Sequence, residues 1–122
     1  MKILVFGNPD YAPDSLPLRI LPQLTERLTE PDFLHLDPNE EWDLSGDVTV
    51  IDTVINLTEP TVFESIDGFV PPPRDSAHDF DAYMQLRLSQ KLGRIGQIRI
   101  IGLPPGLPED EAVEFVSTAL AA

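Results

Sequence analysis

The sequence predicts an α/β fold with a single, mostly parallel central sheet of about five strands flanked by helices. Three observations predict it. Short apolar runs of strand length alternate with stretches whose apolar residues recur every four positions. The first run, Lys2–Phe6, is apolar without alternation, as expected of a central strand buried on both faces. Gly93 and the Pro/Gly turn Leu103–Leu107 punctuate the second half between helix and strand. The 122 residues fit one domain, 1–122, with one core.

Taken in order, the first strand ends near Gly7 and a polar loop runs to Ser15, which is placed to cap a helix with Pro17 in its first turn. Leu16, Ile20, Leu24 and Leu28 form one apolar stripe, and Pro22 inside it should kink the helix or remove one backbone hydrogen bond. Phe33–Leu36 reads as a short second strand, with His35 as a structural residue in it. Asp37–Gly46 reads as a loop anchored by Trp42. Val48–Ile51 is a third strand that delivers Asp52 at its carboxyl end. Thr61–Ser65 alternates enough for a fourth strand, placed at a sheet edge. Pro71-Pro72-Pro73 cannot join a ladder and reads as an extended loop. Ser76–Asp79 is expected just before a helix striped by Phe80, Met84, Leu88 and Leu92 and ended by Gly93. Ile98–Gly102 is the last strand. Pro108–Glu111 opens a final helix, where acids suit the helix dipole, and Ala112, Val113, Val116 and Leu120 form its apolar face.

The net charge of −13 makes a surface that repels nucleic-acid phosphates and anionic membranes, so no nucleic-acid or membrane partner is expected. It favours a cation or a basic partner segment, and it equally serves solubility. The apolar start is too short for a secretion signal, and a cytoplasmic, monomeric protein is expected. With no cysteine, a disulfide framework, a thiolate nucleophile and a thiolate metal site are excluded. No G-x-S-x-G elbow, P-loop or G-x-G-x-x-G occurs, and the two-residue spacing of Ser76 and His78 is not a nucleophile–base signature.

What remains is a set of three. Asp14 follows the first strand, Asp52 ends the third, and His78 precedes the second long helix. In a parallel sheet the loops at the carboxyl ends share one edge, so these residues can meet there. Two carboxylates and an imidazole suit nickel, zinc or manganese better than calcium, which prefers more oxygens. Each residue also has a purely structural reading: Asp14 favouring a helix dipole, Asp52 capping a turn with Thr53, His78 as an ordinary loop histidine.

These residues sit in segments that resemble the [NiFe]-hydrogenase maturation endopeptidases. The opening K-I-L-V-F-G-N-P-x-x-x-x-D followed by a helix is similar to the family's strand–GN–acid–helix start. Val48–Val54 resembles its strand ending in a D-A-[LIV] segment, Ser76-Ala77-His78-Asp79 its S-P-H-[DEQ] segment, and Ile98–Leu103 with Pro105 its late I-G-[IV]-x-P strand. The four run in order over most of the chain. Val5, Pro13 and Pro17 depart from the family's usual residues, Asp14 stands where a Glu is frequent, and Asp37–Glu40 replaces a D-G-G-T-like loop.

The resemblance implies a twisted, phosphorylase/hydrolase-like sheet between helices. It also implies an endopeptidase that removes the C-terminal extension of a hydrogenase large-subunit precursor after nickel insertion. Asp14, Asp52 and His78 would be the catalytic and metal-binding residues, working on Ni2+ presented by the precursor and without a Ser or Cys nucleophile. Zn2+, Cd2+ or Mn2+ would be substitutes in vitro. Asn8 and Asp79 would orient these ligands. The proline substitutions motivate a second reading, a non-catalytic metal-sensing or adaptor module on the same fold that binds the precursor.

Overall fold

The computed structural model describes residues 2–35, 44–65 and 77–121, and only the backbone within 77–82. The elements are β1 (Lys2–Val5), a short 3-10 turn (Ala12–Asp14), α1 (Leu16–Arg27), β2 (Asp32–Leu34), β3 (Gly46–Thr53), β4 (Thr61–Phe63), α2 (Ala77–Lys91), β5 (Ile95–Leu103) and α3 (Glu109–Ala121). They form one five-stranded sheet in the order β2-β1-β3-β5-β4. All neighbours are parallel except the edge strand β4, which runs antiparallel to β5. The expected α/β class, element order and mostly parallel sheet are all present.

Alternation along the central strands builds two cores, because successive side chains face opposite sides of a sheet. Leu4, Phe6, Val48, Val50, Ile98 and Ile100 pack with Tyr83 and Leu86 of α2 on one face. Ile3, Val5, Ile51, Ile101 and Leu103 pack with α1 and α3 on the other. The expected stripes of α1 and α3 supply that second core: Leu16, Ile20, Leu24, Ala112, Val113, Val116 and Leu120 are buried. The exposed ion pairs Arg27–Glu114, at 2.8 Å, and Arg19–Glu109, at 3.6 Å, join the two helices across the surface. Helix α1 runs through Pro22, whose ring nitrogen offers no N–H to the Leu18 carbonyl.

Four expectations need correction. The stripe of α2 faces the wrong way: Met84, Leu88 and Leu92 are 53%, 57% and 58% exposed, whereas Tyr83 and Leu86 are buried. A four-residue period shows that residues share a face, not which face meets the core, and α2 carries a second apolar pair three residues apart. Helix α2 starts at Ala77, so His78 and Asp79 lie in its first turn and not in a preceding loop. Strand β2 ends at Leu34, which leaves His35 exposed beyond it. Asp52 is the penultimate residue of β3, paired with Gly102, because the ladder with β5 continues to Thr53. Gly93 does stop α2, with a φ of 74° that other residues rarely adopt. Trp42, the loop at 37–40, and Pro71-Pro72-Pro73 lie outside the described residues. Among the described residues no helix is long and apolar enough to cross a membrane.

Candidate active site

The sheet order contains a topological switch. After β1 the chain turns outward to β2, then crosses back to β3 on the other side of β1. Connections leave the carboxyl ends of β1 and β3 in opposite directions, which opens a crevice there. Asp14 and Asp52 belong to the two strand ends that border this crevice. The backbone N–H of Phe6 donates to the carbonyl of Ile51 (3.0 Å), zipping the strands together one residue before Asp52.

Asp14 is carried by a loop that folds back over β1. The Asn8 N–H donates to the Asp14 carbonyl (2.8 Å), and the Asn8 Oδ1 accepts the Asp10 N–H (2.9 Å), so Asn8 organises the loop at both ends. Gly7 makes that closure possible: a Cβ there would lie 2.9 Å from the Asp14 carbonyl oxygen and 3.2 Å from Leu18 Cγ. The 3-10 turn then presents Asp14 at 9% exposure. Ser15 is the N-cap residue of α1, yet its hydroxyl makes no cap bond. It donates to the Ala12 carbonyl (2.8 Å) and accepts from Arg19 Nε (3.0 Å), bracing the turn that holds Asp14 against α1.

Asp52 is 1% exposed. Burying a carboxylate is costly unless hydrogen bonds replace its water. Here the Thr53 N–H donates to Oδ1 (2.8 Å) and the Tyr83 hydroxyl to Oδ2 (2.7 Å). The Tyr83 ring is fixed in turn, edge-on to Phe6 with centroids 5.6 Å apart and an interplanar angle of 86°. The two described members of the expected set, Asp14 and Asp52, are buried carboxylates, and carboxylate oxygens are donors a divalent cation takes.

His78 is the second residue of α2, and Asp79 follows it. The side chains of both lie outside the described residues. Tyr83, five residues further along the helix, touches Asp52, so His78 is about 7–8 Å of axial rise from that contact. Among the described residues no group of three acidic or histidine side chains is gathered as a metal cluster. Tyr83 is the site residue that sequence reasoning missed. The signal for it in the sequence is the Tyr83–Leu86 pair at helical spacing, one step off the Met84–Leu88–Leu92 stripe.

No protein-family model matches this sequence, and no curated protein matches it. Solved structures do. The hydrogenase maturating endopeptidase HybD from E. coli superposes with a TM-score of 0.68 at 17% identity, over 99% of this chain and 93% of that one. The chain has the fold of the hydrogenase maturation endopeptidases. The [NiFe] hydrogenase maturation protease HybD from Thermococcus kodakarensis is also similar, with a TM-score of 0.63 at 21% identity, over 98% and 99% of the two chains. Both likenesses run over nearly the whole length of this chain.

Proposed function

We propose that this protein is a hydrogenase maturation endopeptidase, which removes the C-terminal extension of a [NiFe]-hydrogenase large-subunit precursor after nickel insertion. The observation that carries the proposal is the near-complete structural likeness to two HybD structures. The buried, hydrogen-bonded Asp52 at the switch point agrees with it.

In this reading Asp14, Asp52 and His78 receive the nickel that arrives with the precursor. Asp52 stands buried at the carboxyl end of β3, where that strand borders the crevice. Asp14 comes from the loop after β1, which is closed by the Asn8 N–H on the Asp14 carbonyl. The bound nickel supplies Lewis-acid polarisation of the scissile carbonyl or activation of a water, the chemistry that a chain without cysteine or a Ser–His pair needs from elsewhere. Asp79 is assigned to orienting His78. Co-expression with a nickel-loaded precursor tests the proposal. Release of a C-terminal peptide is expected, whereas a stable complex with a precursor of unchanged mass would make the protein an adaptor on the same fold.

A further inference from the structure

The proposed function uses Asp14, Asp52 and His78 but gives no role to Tyr83, whose hydroxyl grips Asp52. Tyr83 is 3% exposed and donates its hydroxyl to Asp52 Oδ2 at 2.7 Å. Its ring is held edge-on by Phe6, the residue that follows β1. Tyr83 therefore links three parts of the crevice: the end of β1, the end of β3 and the helix that begins just before His78. A hydrogen bond to a carboxylate is stronger than a neutral one and restricts the carboxylate to one orientation.

We infer that Tyr83 is a positioning residue that holds Asp52 in the orientation in which it binds a divalent cation. The inference rests on the proposed function for its choice of cation site. Without the hydroxyl, the Asp52 carboxylate loses a donor in a buried place and rotates to find another. The cation then meets a ligand that must be reoriented before it can bind. Losing an outer partner of this kind weakens metal affinity about tenfold or more. If Tyr83 merely satisfied a buried acid, its loss would lower stability and leave the affinity of the folded protein unchanged.

Tyr83→Phe separates these roles, because it keeps the ring against Phe6 and removes only the O–H. The probe is Cd2+, titrated calorimetrically well below the unfolding temperature, with Asp52→Asn defining the site. Cd2+ affinity at the Asp52-dependent site should fall about tenfold in Tyr83→Phe. A Tyr83→Phe protein that is folded and within about twofold of wild type overturns the inference while leaving the proposed function standing. A wild-type protein with no Asp52-dependent Cd2+ binding overturns both. A wild-type protein that leaves the precursor uncut while the affinity difference holds contradicts the proposed function alone. A second readout needs no change at Tyr83. The chain has two tyrosines and one tryptophan, so in the double variant Tyr11→Phe, Trp42→Phe the near-UV tyrosine band reports Tyr83 alone. Saturating Cd2+ should perturb that band, and an unchanged band contradicts the inference even if Tyr83→Phe fails to fold.

Discussion

Asn8 and Asp14 are joined by a backbone hydrogen bond of 2.8 Å that folds the loop after β1 back over the strand end. The bond sets where Asp14 stands relative to the crevice, and Gly7 is what lets the loop come this close.

Gly7→Ala should therefore act on the site as well as on stability. The added methyl would meet the Asp14 carbonyl at 2.9 Å and Leu18 Cγ at 3.2 Å, and neither backbone nor a half-buried leucine yields freely. A loss of about 1–3 kcal/mol in unfolding free energy is expected, the usual range for overpacking. Precursor cleavage should fall more than stability does, because the loop carries Asp14. Denaturant unfolding and a cleavage assay on the same variant check both parts.

The orientation of α2 makes a paired prediction. Leu86 is fully buried against the sheet and Leu88 is 57% exposed. Leu86→Ala should cost about 2–5 kcal/mol. Leu88→Ala should stay within about 0.5 kcal/mol of wild type. Urea midpoints at equal m-value decide it, and equal losses at the two positions would contradict the packing described.

That pair also shows where the sequence was legible. Continuous apolar runs identified β1, β3 and β5, and single clean stripes identified α1 and α3 with their buried faces. Helix α2 carries two overlapping apolar patterns, Met84–Leu88–Leu92 and Tyr83–Leu86, and periodicity alone cannot rank them. The polar partner Asp52 favours the second pattern in the fold, and that contact is separated by 31 positions in the chain. For the same reason the candidate site was legible as residue types at strand ends, whereas the grip of Tyr83 on Asp52 was not. Ser15 was legible as the residue before α1, but its hydroxyl turns to Ala12 and Arg19 instead of the helix N–H groups.

His78→Ala should abolish precursor cleavage without unfolding the chain. The residue lies in the first turn of α2, where helix ends contribute least to global stability. Circular dichroism and the mass of the precursor are the two measurements. A variant that still cleaves would remove His78 from the site.

Asp52→Asn keeps the side-chain size and removes the negative charge; its amide oxygen can take over from Oδ1 toward the Thr53 N–H while the NH2 donates to the Tyr83 hydroxyl, which turns its own proton away. Cleavage should be lost while the fold persists. The reverse pattern, an unfolded chain, would make Asp52 a structural residue. Near-UV circular dichroism alongside the cleavage assay distinguishes the two.

The most direct test is the intact mass of a purified nickel-loaded large-subunit precursor incubated with this protein. The account predicts a time-dependent loss of the C-terminal extension with the wild type, and none with variants lacking Asp14, Asp52 or His78. A precursor that keeps its full mass while bound to the wild-type protein, or one that all three variants shorten equally well, would contradict it.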